Sequence, residues 1–207
     1  MCGRYVVTNA VTKTKGLVKS AIQIEDNENY NAHPYQNLPV IKKYTNGSAL
    51  EKLKWGIVPS WSKKKDFKHL INSRLETIDE KISFKKLIKL KRCIAIADGF
   101  YEWKRTEKEK KPFFFQRQDK KTIYFAGIYD ENEFCLITEQ ASENVLEIHH
   151  RQPVILNQKD LKSYLDLQLD GSAFLKEAKK PRLEFYEVSK DVNKPTNNSV
   201  SLIQKLN

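Results

Sequence analysis

Cys2 sits one residue from the start of the chain, where its type and position could do unusual chemistry. Once Met1 is removed, Cys2 carries a free α-amine and a thiol on adjacent carbons, a pair that no internal cysteine has. The amine can condense with an aldehyde to a Schiff base, and the thiolate can then close a five-membered thiazolidine ring. Both groups are recruited easily near neutral pH, an α-amine having a pKa of about 7.7–8.0 and a thiol about 8.5. Cys is a small second residue, which favours removal of Met1. Alone, a cysteine near a terminus is more often an ordinary small hydrophobe. Four further groups of residues shift that balance.

Glu102 lies in Phe100-Tyr101-Glu102-Trp103, flanked by aromatics. A carboxyl in an apolar pocket has its pKa raised, which suits a general acid or base near neutrality. The competing reading is an exposed Glu alternating with buried aromatics. His149-His150-Arg151-Gln152-Pro153 offers an imidazole that titrates near pH 6.5 and can shuttle protons. At strand spacing His149 and Arg151 share one face, with His150 and Gln152 on the other. Adjacent strand residues point apart, and no carboxylate or Cys follows at ligand spacing, so no metal is expected at His149-His150. In Asn72-Ser73-Arg74-Leu75-Glu76-Thr77 an extended chain points Asn72, Arg74 and Glu76 to one face. Asn72 offers an amide, and Arg74 a planar fork suited to phosphate. Trp55, Trp61 and the Pro34-Tyr35 turn could stack on unpaired bases, worth about 1–3 kcal/mol per base. Core packing is the competing fate of at least one tryptophan.

These residues need elements to hold them. Gly3 to Thr8 reads as a strand that pins the N-terminus in a sheet. Leu38 to Tyr44 and Ala49 to Trp55 read as strands joined at Asn46-Gly47, a strong hairpin signal. Pro59 excludes a central strand at residues 55–61. Leu70 to Leu75 reads as extended, and Arg92 to Ala97 as a buried strand. A turn at Asp98-Gly99 leads to a strand from Phe100 to Lys104, with further strands at 112–117, 122–129, 133–138 and Leu183 to Val188. Helical spacing is found at 10–20, at Ile82 to Lys91, at Glu143 to Ile148 and at 172–180, and Asn157 reads as the cap of a helix bearing Leu161, Tyr164 and Leu165. Val200 to Ile203 supplies a last apolar contact. Short strands with interspersed helices predict an α+β fold: one compact domain over 1–207, a mixed, mostly antiparallel β-sheet core with peripheral helices.

Composition narrows the partners. The 207 residues carry 37 Lys+Arg against 26 Asp+Glu, a net charge of +11, which favours polyanions and nucleic acid above all. Many lysines come in clusters, at 63–65, 85–86, 108–111 and 179–180, and a solvated lysine-rich surface competes with binding for most of them. There is no secretory h-region and no apolar run near the ~20 residues that span a bilayer. Cys2, Cys93 and Cys135 are few, odd in number and widely spaced, which argues against a disulfide framework and a zinc site. A reducing cytoplasmic setting and a monomer are expected, with no membrane and no small-molecule cofactor.

Five segments in order, MCGRY, WGIVPSW, NSRLET, RCIAIADGFYEW and HHRQPVIL, resemble the SRAP family of abasic-site processing proteins. The resemblance covers nearly the whole chain, and five ordered segments are far more specific than one. It implies action on ring-opened abasic sites in single-stranded DNA, with processed Cys2 forming a thiazolidine link to the sugar aldehyde. It also implies that Asn72 and Arg74 hold sugar and phosphate, and that Glu102 and His149 handle protons. By the same resemblance Arg4 and Arg151 lie in the DNA channel, and Trp61 and Pro34 wedge beside the lesion. The sequence departs from the family at Gln152, usually Met, at His150, often acidic, and at Ile96, usually Pro. None of these removes a predicted catalytic group. Two other readings stand beside this one: a cysteine peptidase-type hydrolase with Cys2 as nucleophile, His149 as base and Glu102 as orienter, and a non-catalytic single-strand-binding module.

Overall fold

The computed structural model describes residues 2–59, 62, 68–107 and 109–206. Strand β1 (Tyr5–Thr8) leads to a short helix α1 (Ala10–Thr14), to β2 (Ser20–Ala21) and to β3 (Glu28–Ala32). Next come the hairpin of β4 (Asn37–Tyr44) and β5 (Gly47–Trp55), then β6 (Asn72–Arg74), α2 (Leu87–Leu90) and β7 (Arg92–Ala97). They are followed by β8 (Gly99–Arg105), β9 (Lys110–Arg117), β10 (Ile123–Asp130), β11 (Glu133–Gln140) and α3 (Glu143–Leu146). The chain ends through β12 (Arg151–Pro153), β13 (Ile155–Leu156), α4 (Leu161–Leu165), α5 (Gly171–Glu177) and β14 (Leu183–Glu187). This is the expected α+β class, with mostly antiparallel mixed sheets.

The strands form two sheets. The smaller runs β14-β9-β8-β1-β3 and the larger β12-β11-β10-β7-β4-β5-β2, with β6 and β13 added at β11 and β10. A parallel pairing of β5 with β11, Lys54 beside Glu133 and Trp55 beside Phe134, closes β5, β4, β7, β10 and β11 into a ring. Closure removes two edges that would otherwise need cover. Ile94, Ile96, Phe125, Phe134 and Leu136 belong to its core, together with Tyr5 and Trp55. Trp55 is therefore a core residue rather than a base-stacking one: its Nε1–H donates to Ile71 O at 2.9 Å, and its ring packs on Tyr5 and Phe134.

β1 lies between two cores. Tyr5 and Val7 face the main core, while Val6 joins a smaller cluster with Tyr101, Phe114, Val188, Val192 and Leu202. The period-2 alternation of a strand with both faces covered produces this split. β8 alternates the same way: Phe100 enters the main core and Tyr101 the smaller one, which carries Glu102 to the main-core side. Gly99 is needed for close packing: a Cβ there would lie 2.2 Å from Phe114 Cζ and 2.5 Å from Phe115 O.

Several elements are shorter than their patterns suggest. The helix from Ala10 stops at Thr14, ahead of Gly16, whose φ is 82°. Hydrogen-bonded turns replace the helix before Leu87, although Phe84, Leu87 and Ile88 are the buried side as expected. Asn157 does not cap a helix: its amide donates to Lys179 O at 2.7 Å, and a 3-10 turn, Gln158–Asp160, precedes α4. At α5 the cap is Asp170, which accepts from Ser172 N and Ala173 N.

Candidate active site

β1 and β8 pair antiparallel, with Tyr5 opposite Phe100 and Val6 opposite Gly99. Tyr101 N donates to Arg4 O at 2.9 Å, and the same register carried two residues further sets Gly3 opposite Glu102. The N-terminal strand is thereby threaded alongside the carboxyl-bearing stretch of β8. Cys2 is wholly buried, its Sγ 3.9 Å from Arg4 O. The Asn72 Nδ2 group donates to Cys2 O at 2.8 Å. β6 brings it there by pairing with β11, Asn72 beside Leu136. The other amide atom of Asn72, Oδ1, is buried and has no partner among the described residues. It is an acceptor aimed at the neighbourhood of Cys2, able to take a donor from an amine or a bound hydroxyl.

Glu102 is only 3% exposed, and burial pushes its carboxyl above the ordinary carboxylate range. Burial, and then the Glu102 carboxylate, push the Cys2 thiol well above its usual value. In the state described, the thiol is therefore protonated at neutral pH.

His149 does not lie in a strand, as the spacing suggested. α3 turns into it, with His149 N donating to Val145 O at 3.0 Å, and β12 begins only at Arg151. The two adjacent imidazoles stack instead of diverging, with ring centroids 4.5 Å apart. His149 Nδ1 lies 3.0 Å from Arg151 N and 3.1 Å from Arg151 O, so the backbone of Arg151 orients the ring whichever nitrogen holds the proton. Burial pushes this imidazole down to about 4, with the nearby His150 and Arg105 charges adding to the effect. A shuttle titrating near pH 6.5 is thus replaced by a neutral ring that presents an N–H.

Glu102 and His149 meet across an open cleft of about 470 Å³. Arg4, Arg105 and Lys110 also line it, leaving Glu102 as the one carboxylate among three fixed cations. Trp103 and Asn193 form another wall, joined by Trp103 Nε1–H donating to Asn193 Oδ1 at 2.8 Å, with Lys110 Nζ 4.7 Å from the indole centroid. Such a cleft suits an anionic substrate that has to be drawn to a buried acid.

The remaining arginines differ from one another. Arg74 is exposed at the end of β6 and has no ion pair among the described residues, so its fork is available to a phosphate. Arg4 lines the cleft, but its Nη1 donates to Asn31 Oδ1 at 2.6 Å and Val192 O at 2.7 Å. Arg151 is 8% exposed. It makes a bidentate pair with Glu76, at 2.7 and 2.9 Å, and donates to Thr138 O at 2.8 Å. Its guanidinium is committed inside the protein, and its backbone N–H orients His149. Glu76 lies in a 3-10 turn, Leu75–Thr77, so the shared face expected for Asn72, Arg74 and Glu76 ends at Arg74. Arg151→Met should lower the unfolding free energy by about 2 kcal/mol, within the roughly 1.5–3 kcal/mol typical of a hydrogen bond to a charged group. Chemical denaturation checks this.

Pro34 is half-buried in a turn where Tyr35 takes a φ of 75°, donates its N–H to Trp55 O and sets its ring edge-on to His69. Pro34 is not among the residues lining the cleft. Trp61 lies outside the described residues. Sequence reading missed Asn31, Glu76 and Asn193 as supports. Glu76 was visible in the NSRLET segment, whereas Asn31 and Asn193 carry no local signal.

A family model described as SOS response associated peptidase (SRAP) matches residues 1–195. The abasic site processing protein YoqW of Bacillus subtilis (strain 168) is 33% identical over 222 residues, covering 99% of this chain and 99% of its own. The abasic site processing protein YedK of Escherichia coli (strain K12) is 29% identical over 223 residues, again with 99% of each covered. A crystal structure of a protein from Bacteroides thetaiotaomicron has the same fold, with a TM-score of 0.83 at 23% identity over 99% of this chain and 100% of that one.

Proposed function

Because the chain belongs to the SOS response associated peptidase (SRAP) family, we propose that it processes abasic sites in single-stranded DNA by capturing them covalently on Cys2. The observation that carries this reading is the placement of Cys2: its carbonyl is held by Asn72, and the buried carboxyl of Glu102 lies beside it under a cationic cleft.

Loss of Met1 frees the Cys2 α-amine. The amine attacks the C1 aldehyde of the ring-opened deoxyribose and forms a carbinolamine. Glu102, whose ionisation burial disfavours, donates a proton to the departing hydroxyl, so water leaves and an imine remains. The Cys2 thiol then adds to the imine carbon: a C–S bond forms, the C=N π pair takes a proton, and the thiol proton is released, closing the thiazolidine. His149, oriented by the backbone of Arg151, hydrogen-bonds a sugar oxygen or hydroxyl and steadies the open-chain form. Asn72 Oδ1 accepts from the amine or a sugar hydroxyl. Arg74 contacts phosphate, as does the part of Arg4 that faces the cleft, giving salt-sensitive binding with little sequence preference. Arg151 acts as a positioning residue for His149. The aldehyde, once capped, can no longer drive strand cleavage by elimination. The same imine gives a route to weak lyase activity.

A thiol hydrolase fits less well. It needs a thiolate of lowered pKa, and both burial and Glu102 act on Cys2 in the opposite sense. The deciding experiment is intact mass before and after incubation with a single-stranded oligonucleotide bearing one abasic site. A species lacking Met1 that gains the mass of the oligonucleotide less one water, stable to denaturant, is expected. A processed, folded chain that gains no mass would overturn the reading.

A further inference from the structure

A second concave feature lies well away from the cleft. β11 starts beside the Asp130 turn and ends beside His150, whose carbonyl accepts Ala141 N–H, so seven residues of extended chain, about 23 Å, separate the two places. At the Asp130 end there is a groove of about 230 Å³. Its apolar walls are Pro59, Leu87 and two aliphatic side chains left in solvent, Ile82 at 68% and Leu90 at 52% exposure. Ile82 and Lys86 from the turns before α2, and Leu90 at its end, all line the groove. Exposed aliphatics gathered at a groove are less ordinary than aliphatics scattered singly over a surface.

Around the groove lysines outnumber carboxylates, of which Glu80 and Glu131 are exposed and have no ion pair among the described residues. The carboxylate in it, Asp130, is already paired with Lys91. Asp79, further back along the chain, is paired with Lys176, and Lys89 acts on Asp170. Lys81, Lys85 and Lys86 are exposed and have no ion pair among the described residues. We propose that this groove docks an acidic peptide segment of a partner protein, with aliphatic side chains seated between Ile82 and Leu90 and carboxylates met by Lys85 and Lys86. Charge complementarity selects an acidic partner. The aliphatic walls favour a peptide over nucleic acid, because unpaired bases are held by aromatic platforms and none of the described lining residues is aromatic. The binding mode is an apolar anchor with an electrostatic rim.

The test uses the full chain and fluorescence anisotropy with fluorescein-labelled (Asp-Asp-Leu)4. The control peptide (Asp-Asp-Asn)4 has the same charge and no anchors. Saturable binding of the first is expected, at least ~10-fold tighter than the control, since partial burial of aliphatic anchors is worth more than one decade of affinity. Ile82→Ser combined with Leu90→Ser, and separately Lys85→Glu combined with Lys86→Glu, should each weaken it at least ~10-fold. All four positions are exposed, and an unchanged melting temperature verifies that each variant is folded. Saturating (dT)12 should leave the peptide bound. Equal affinity for the two peptides, indifference to the variants, displacement by (dT)12, or no binding at a peptide concentration of about 1 mM would each overturn the proposal. No abasic DNA is present, so the result is independent of whether Cys2 captures a lesion.

Discussion

Cys2→Ala should form no denaturant-stable adduct with an abasic single strand, yet should form one when borohydride is present. The processed alanine chain keeps its α-amine, so the imine still forms, but no thiol closes the ring, and the imine hydrolyses on denaturation unless it is reduced. Loss of the adduct in both conditions would mean that the substitution damaged the site itself. A stable adduct without reductant would remove Cys2 from the chemistry altogether. DNA affinity should change little, because the fixed charges of the cleft, Arg4, Arg105 and Lys110, are untouched. The fold should tolerate the change as well: Cys2 is buried in the core, but the substitution removes only its sulfur, and its backbone partner, the Asn72 amide, is retained. Denaturing gels with and without reductant, alongside anisotropy on the same samples, separate these outcomes.

Glu102→Gln should slow adduct formation by about 10²–10⁴-fold, the usual contribution of general acid–base catalysis, while making the protein more stable at pH 7. The sign follows from burial. The folded-state pKa of Glu102 is raised above an unfolded value of about 4.3, so its contribution to stability is present at low pH and is lost as pH rises through the folded value. At pH 7 the wild-type protein bears the cost of a carboxyl whose ionisation burial disfavours, a cost that the glutamine avoids. The urea midpoint of the variant should exceed that of the wild type at pH 7, and the two should converge towards pH 4. The rate profile carries a second signature. The wild-type rate falls on the acid side, where the amine is protonated, and on the alkaline side, where Glu102 loses its proton, and the alkaline limb should vanish in the variant. A variant that is slower but no more stable would place Glu102 in a charge-paired structural role rather than that of a strained acid.

The parts of this molecule legible in its sequence are those governed by local chemistry. Asn46-Gly47 marks the β4–β5 hairpin because a residue at positive φ is needed there, and Gly47 takes a φ of 125°. RCIAIA reads as a buried strand because its apolar run is unbroken, and all six residues of β7 are buried. The aromatics around Glu102 announced a desolvated carboxyl. What was not legible depends on distant partners. The parallel closure of β5 on β11 leaves no pattern of its own. The bidentate grip of Glu76 on Arg151 spans 75 positions, and nothing local to either segment signals it. The stacking of His149 on His150 escapes strand periodicity because a turn from α3 delivers both rings. The C-terminal residues are as hidden: nothing local in Asn193 points to Trp103.

Apart from Asn31, which also holds Arg4, the partners of the first four residues come late in the chain: Asn72 for Cys2, Tyr101 and finally Val192 for Arg4. During translation at about 5–20 residues per second, roughly ten seconds or more pass before the last of these leaves the ribosome. For that interval the leading segment has only β3 and Asn31 to pair with, and on the proposed reading it is still within reach of a peptidase that trims Met1. Trimming thus has its opportunity on the nascent chain, before the strand is drawn in beside β8. The long-range stitching that makes the fold slow to complete also keeps the α-amine accessible while it is being unmasked, and delays assembly of the reactive centre until the protein is whole.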